Sequence, residues 1–408
     1  MTFVRPGANV VPIANDIFAV AVRAQEDKKQ NGDLVVDATL GSLYDEDGNF
    51  AALHSVFDHY DQINHRTKGA YASSFLGNPG FRETVFRWAV DDSLRDLPHT
   101  VIATPGGSGA VSVSFSTFVN PGETILLPAI GWSSYNLMAS QFGIKARHYN
   151  MFKDDHFDLA SLKEDIADVM KQQNRVVLVL NDPCHNPTGY SLSAEEWEAL
   201  TDILNEASAQ GPIVLIDDIA YIDFSRDPSH SKDFMKAFTR LSDQVLISLA
   251  FSCSKSMTSY GLRCGAAILL SKNAKALEEA EIVFEKYARA IWSNIPNAAM
   301  ENFTWVINEN RDAYLAEKQF YIDLLRQRSD VFLKEAKECG LPLYPYKEGF
   351  FITVKADSDK AKKIQQALME EHVYTVVVDG GIRIAICSLP VRKASSLAPR
   401  LKRVIDSI

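Results

Sequence analysis

The chain has 408 residues, 46% hydrophobic and 23% charged, enough to bury substantial cores and unlike a disordered or fibrous sequence. Its formal charge of -10, with no basic stripe, argues against a binder of phosphate backbones, so no nucleic-acid partner is expected. Five cysteines without CxxC spacing suggest neither a disulfide framework nor a zinc site, and no apolar run approaches the ~18 residues that cross a bilayer. A soluble, cytoplasmic protein without metal or membrane association is the expectation, since the start also lacks the pattern of a signal peptide.

Residues 1–12 read as an arm of the kind that packs on a neighbour, and Asp16 to Gln30 as a helix with Ile17, Val20 and Ala24 on one face. Asp33 to Leu40 predicts a short strand entering a turn at Gly41, where the missing side chain lets backbone approach a ligand. Gly80 to Leu94 predicts a helix. Thr100 to Thr104 then runs into TPGGSGAVSVSFSTF, giving strand, Gly-rich turn and helix, an order that cradles phosphate through turned-in amides and the helix dipole. Ser108, Gly109 and Ala110 are the candidate cup, although a plain tight turn gives the same pattern. No Lys-Ser/Thr pair follows and the glycine spacing misses GxGxxG, so nucleotide binding loses its main support.

The segment PGETILLP predicts a strand, and Trp132 just beyond it serves either core packing or as a flat face for a ring. Lys145 to Tyr149, Leu159 to Gln172 and Arg175 to Leu180 read as strand, helix and strand. In the following NDPCHNPTG, two prolines flank His185 and Asn186 and impose a rigid loop that fixes a hydrogen-bonding group at Asn186. His185 has no second ligand nearby and reads as structural. Ser193 and Glu196 form a capping box for a helix through Ala207. Pro212 to Asp218 is a buried strand ending in two acids, which points Asp218 into the crevice where α/β sheets bind ligands, with Tyr221 three residues on.

Val245 to Phe251 is an apolar strand that empties into a Ser-rich turn carrying Lys255, and Ala266 to Leu270 follows Arg263. Either both cations are surface charges, or Lys255 is desolvated into an amine able to condense with a carbonyl while Arg263 holds an anion such as phosphate. Ser252 and Lys255 also spell SxxK, but the SDN and KTG partners of penicillin-binding proteins are missing. Strands and helices alternating from Val101 to Leu270 predict an α/β fold with a mostly parallel sheet covered on both faces. Beyond Asn273 the pattern is helical, broken at Ser293-Asn294-Ile295-Pro296, with one long helix from Asn297 past Arg326. Phe350 to Val354, Asp359 to Glu371, Tyr374 to Val378 and Ile382 to Ile386 predict a small α+β domain closed by a helix from Ala394 to Ile408. Arg383 in its late strand either snorkels to solvent or binds an anion in a cleft.

Four motifs in order, over nearly the whole chain, carry a resemblance: HNPTG at His185 to Gly189, DxxY at Asp218 and Tyr221, SxxK with Arg263 eight residues after Lys255, and the late Arg383. The chain resembles the class I pyridoxal-phosphate aminotransferases, most closely the aspartate and aromatic amino acid enzymes. This implies a fold-type I enzyme with a large cofactor-binding domain at 49–310, a small C-terminal domain at 311–408, and an arm plus part of the small domain at 1–48. It also implies pyridoxal 5'-phosphate carried by Lys255, which moves the proton at the substrate Cα. Asp218 would pair with the pyridine nitrogen, Asn186 and Tyr221 with the phenolate oxygen, and Trp132 would stack on the ring. Ser108, Gly109, Ala110, Ser252 and Arg263 would hold the phosphate, and Arg383 the substrate α-carboxylate, with Gly41, Trp132 and Asn186 also against substrate. A homodimer with shared sites follows from the resemblance, in which Tyr71 reaches the partner's phosphate and Arg289 reads a distal carboxylate across the interface. Tyr135 stands where aspartate enzymes often place a histidine, which alters the network at the ring nitrogen. The implied reaction moves an amino group from aspartate or an aromatic amino acid to a 2-oxo acid such as 2-oxoglutarate. The alternative is other chemistry on the same fold: β-elimination, decarboxylation or aminocyclopropane-carboxylate synthesis.

Overall fold

Apolar, β-branched runs build the central sheet of the computed structural model, which describes residues 3–4, 9–12 and 17–408. Its strands are β1 (His99–Thr104), β2 (Thr124–Pro128), β3 (Lys145–Tyr149), β4 (Val176–Leu180), β5 (Ile213–Asp217), β6 (Val245–Ser252) and β7 (Gly265–Leu270). They lie in the order β1-β7-β6-β5-β4-β2-β3, and only β7 runs against its neighbours. Successive residues face two different cores: Val101, Leu178, Leu215 and Leu249 pack on one side, Ile102, Val177, Ile216 and Ala250 on the other. Burial on both faces is why VVLVL and VLISLAF show no polar alternation. The connection from β6 to β7 is too short for a crossover helix, so β7 returns antiparallel and holds the Lys255 turn against the strand ends.

Helices α1 (Ile17–Asn31), α2 (Pro79–Ala89), α3 (Gly106–Phe118), α4 (Ala274–Ile291), α5 (Asn297–Glu309) and α6 (Arg311–Cys339) matter most for the site. A second, antiparallel sheet of β8 (Phe351–Lys355), β9 (Val376–Val378) and β10 (Gly381–Ala385), ordered β8-β10-β9, packs with the helices Ser358–Glu370 and Leu397–Asp406. Its core unites Phe332, Ile352, Ile364, Ile384 and Leu401 with Val36 and Ala38 from the start of the chain. Helix α6 joins the two units: Tyr314 lies in the large core, Phe332 and Ala336 in the small one. Among the described residues no helix is long and apolar enough to cross a membrane.

Several boundaries differ from the sequence expectations. Asp33 to Leu40 is mostly not a strand: Gly32–Leu34 is a 3-10 turn and only Val36–Asp37 pairs, parallel to Val373–Tyr374. The helix expected to reach Leu94 stops at Ala89, because the Asp91 side chain accepts from the Ser93 amide and starts a separate 3-10 turn, Asp92–Leu94. The long helix is two helices parted at Asn310, whose side chain donates to the Ser55 carbonyl. The last helix, expected from Ala394 to Ile408, spans Leu397–Asp406 after a left-handed Ser396, and Val391–Ala394 is a separate helical turn before it. The predicted start of α1 at Asp16 and parts of the arm lie outside the described residues.

Candidate active site

The C-terminal ends of β1, β4, β5 and β6 converge, and each delivers one part of a site. From β6 the chain enters the helical turn Cys253–Ser256, which carries Lys255, and Arg263 in left-handed geometry (φ 50, ψ 52) turns it back into β7. From β1 it enters α3 through Gly106 and Gly107. Gly106 has φ +72, a conformation that favours glycine, and a Cβ on Gly107 would lie 3.2 Å from Ser252 Cβ, so the two loops approach closely here. Arg263 donates to the carbonyls of Tyr260 (2.8 Å) and Pro105 (3.1 Å) and to Ser254 Oγ (3.1 Å).

Asp218 follows β5. Its amide donates to the Leu180 carbonyl at 2.9 Å, and its Oδ2 accepts from the Tyr135 hydroxyl at 2.8 Å. Burial pushes its carboxyl up to about 6, opposed by the hydrogen bonds from Tyr135 and the Ala220 amide and by the charge on Lys255. Tyr135 packs edge-on against Trp132, ring centroids 5.4 Å apart. Asn181, at the end of β4, donates to the Asp218 carbonyl and accepts from the Asn186 amide (2.7 Å), which fixes the Asn186 loop to the strand end.

On β10, Arg383 is buried rather than snorkelling. It donates to the Thr39 carbonyl (2.9 Å) and Asn186 Oδ1 (3.2 Å), and its guanidinium lies 4.3 Å over the Phe351 ring. Its Nε is buried without a partner, a donor free for an anion. Lys255 Nζ donates to the Gly41 carbonyl at 3.2 Å and sits 4.6 Å over the Tyr260 ring and 5.3 Å over the Tyr221 ring. Burial lowers this lysine to about 8, so the neutral amine is readily reached. Gly41 is itself confined, since a Cβ there would meet Phe351 Cζ at 2.6 Å.

Ser108, Trp132, Asn186, Asp218, Tyr221, Ser252, Lys255 and Arg263 thus line one cavity of about 160 Å³. Gly107, Asn181 and Tyr260 line it too and were not among the sequence candidates. Asn181 is signalled only by following a strand directly, and Tyr260 has no local signal. Gly109 and Ala110 do not line it: Ala110 is packed in a core, and Gly109 abuts Pro105. Tyr71 and Arg289 are brought together elsewhere, in a cavity of about 600 Å³ shared with Phe75, Glu285 and Ser293. His185 is buried with Nδ1 2.8 Å from Thr188 Oγ1, and burial lowers it to about 3, so it is neutral. Among the described residues no group of His, Cys, Asp and Glu is arranged to hold a metal.

The family model for aminotransferase class I and II matches residues 42–401. Over 210 residues the chain is 27% identical to the aromatic-amino-acid aminotransferase of Pseudomonas aeruginosa, a match that covers 51% of this chain and spans only 50% of that enzyme. To the aromatic-amino-acid aminotransferase of Paracoccus denitrificans it is 24% identical over 389 residues, 92% of this chain and 94% of the relative. The crystal structure of an aminotransferase from Anaerococcus prevotii superposes with a TM-score of 0.95 at 31% identity, covering 100% of this chain and 99% of the other. With the family match running from Gly41's neighbour Ser42 into the last core helix, and the same fold at full length, the chain belongs to the class I and II aminotransferases, a pyridoxal-phosphate-dependent family.

Proposed function

We propose that this chain moves the amino group of an L-amino acid, aspartate or an aromatic one, to a 2-oxo acid such as 2-oxoglutarate, in two half-reactions at the Lys255 cavity. The observation that carries the reading is that one cavity joins a lysine of lowered basicity, a buried acid and an arginine beside a glycine cradle. These residues fit pyridoxal phosphate. A Cβ on Gly106 or Gly107 would crowd the loops that present Ser108, Ser252 and Arg263 to a phosphate, and Arg383 keeps an unused donor for a carboxylate. When bound, the cofactor supplies a carbonyl that condenses with amines and a ring that accepts the electron pair released at the substrate Cα.

The protein's own groups supply the rest. Lys255 Nζ would hold the cofactor through its carbonyl, and as a free amine it would carry the proton at the substrate Cα. Asp218, anchored by Tyr135, would pair with the ring nitrogen and favour its protonated form. Trp132 would offer its face to the ring, and Asn186 and Tyr221 would hydrogen-bond the phenolate oxygen. Gly109 and Ala110 contribute through the start of α3 rather than through the cavity wall. Arg383 orients the α-carboxylate, with Gly41 closing that end.

Tyr71 and Arg289 belong in this reading to the site of a second copy, since they line a separate, outward-facing cavity. A cytoplasmic homodimer with shared sites is therefore part of the proposal, as is a division of the chain into 1–48, 49–310 and 311–408. The separate small-domain core, with Val36 and Ala38 in it, supports that division, and α6 contributes to both cores. Adding aspartate, glutamate, tyrosine or phenylalanine singly to the yellow holoenzyme tests the substrate class. Bleaching of the visible band by aspartate or an aromatic amino acid, restored by 2-oxoglutarate, is the expected result; release of ammonia or carbon dioxide without transfer contradicts it.

A further inference from the structure

Behind the Lys255 turn, away from the cavity, lies a buried ion pair that none of the roles above uses. Lys318 on α6 donates to Asp223 Oδ1 at 2.8 Å, the two side chains being 3% and 10% exposed. Asp223 Oδ2 accepts from Trp88 Nε1 at 3.1 Å. The Lys318 ammonium also lies 4.7 Å over the Trp88 ring and 4.9 Å over the Tyr314 ring, and the Tyr314 hydroxyl donates to the Ser256 carbonyl at 2.6 Å. None of these four side chains lines the cavity.

Stability alone does not explain such a pair, because taking two charges out of water costs about what their attraction returns, and apolar replacements are often neutral. What an ion pair adds over an apolar contact is a fixed direction and distance. Here the fixed elements carry the site. Asp223 sits two residues after Tyr221, in the turn Ile222–Phe224, and Ser256 directly follows Lys255. Tyr314 and Lys318 are one turn apart on the same face of α6. A single stretch of α6 therefore grips from behind the two segments whose side chains face each other in the cavity.

We propose that Trp88, Asp223, Tyr314 and Lys318 form a positioning cluster that sets where Lys255 Nζ stands relative to Tyr221 and Asp218, an inference that rests on the transaminase reading above. The groups facing Lys255 are Asp218, Arg263, Arg383 and Cys387 and the phenols of Tyr221 and Tyr260. The other cations against the cluster are Lys232, which donates to the Trp88 carbonyl, and Arg311 over the Trp88 ring. The Lys318–Asp223 pair is net neutral, so replacing both partners by apolar residues leaves all of those charges in place. A changed titration of the Lys255 nitrogen then reports displacement rather than lost charge.

The test uses the holoenzyme of a Lys318→Met, Asp223→Leu double variant and of Tyr314→Phe. Measured are the pH midpoint of the visible band without substrate, thermal unfolding, kcat and KM. The double variant is expected to unfold cooperatively and retain cofactor, with its midpoint raised by about half a pH unit or more, because a loosened nitrogen gains water that favours its charged form. Its kcat should fall about tenfold with KM changed less than about twofold. Tyr314→Phe should shift the midpoint the same way by less. Unchanged midpoints and kcat in folded variants overturn the proposal and leave the pair a structural one. If the double variant fails to fold, Tyr314→Phe decides, and an unshifted midpoint there overturns it. A parent protein that takes up no cofactor contradicts the transaminase reading itself, and is seen before any variant is made.

Discussion

Around Lys255 the groups are held from within the same chain: Asp218 by Tyr135, Asn186 by Asn181 and Arg383, Arg263 by two carbonyls. Around Arg289 they stand at the surface, with Tyr71 83% exposed and Arg289 donating to Ser293 Oγ at 2.9 Å and lying 4.8 Å over the Phe75 ring. In the reading proposed here, the first region holds and activates a carbonyl cofactor. The second, in the same reading, is half a site completed by a second copy. That reading assigns chemistry to the buried region, and discrimination between side chains to the exposed one.

Variants can break that division. Lys255→Ala should lower turnover by about 10⁴-fold or more, since it removes both the covalent anchor and the base, while circular dichroism and thermal unfolding show the fold retained. Asp218→Asn should cost about 10²–10³-fold in kcat by removing a buried charge aimed at the ring, measured as single-turnover bleaching of the visible band. Arg289→Ala should sharpen the contrast: kcat/KM for aspartate falls about 10²-fold while that for phenylalanine changes less than about tenfold, as expected when one charge pair to the substrate is lost. Equal losses for both substrates would place Arg289 in the chemistry instead. Tyr135→Phe, which leaves Asp218 without its hydroxyl donor, should cost about threefold to tenfold in kcat.

The smallest effect is on stability. Lys255 is lowered to about 8 from an ordinary value of 10.5 by burial, so the folded, cofactor-free protein carries a buried charge below pH 8 and sheds it as pH rises. Stability linked to this group is present above about pH 10.5 and lost as pH falls through about 8. Lys255→Met should therefore stabilise the cofactor-free protein at pH 7 by on the order of 1–3 kcal/mol. The gain should vanish near pH 10.5 in urea melts.

Much of the buried region was legible because its residues sit where periodicity changes. Asp218 directly follows an apolar strand, and Ser108, Asn186 and Lys255 lie in the turns just beyond one, and a strand's end in a parallel sheet is where ligands bind. Tyr260 and Asn181 were not legible as site residues: one lies in an irregular turn, and the other acts through a hydrogen bond to a neighbouring loop. Gly109 and Ala110 show the limit of a glycine motif, which announces the turn but not which of its residues meets the cavity. The breaks at Asp91, Asn310 and Ser396 depend on single side-chain bonds or one left-handed residue, which hydrophobic patterning does not register. The Lys318–Asp223 pair, 95 residues apart in sequence, left no local trace at all.

The central claim is that Lys255 carries the cofactor. Reduction of the pyridoxal-phosphate-loaded protein with borohydride, followed by proteolysis and mass spectrometry, tests it directly. The account predicts the added pyridoxyl mass on the peptide that contains Lys255 and on no other lysine. Label on a different lysine, or none after reduction of the yellow protein, would contradict it.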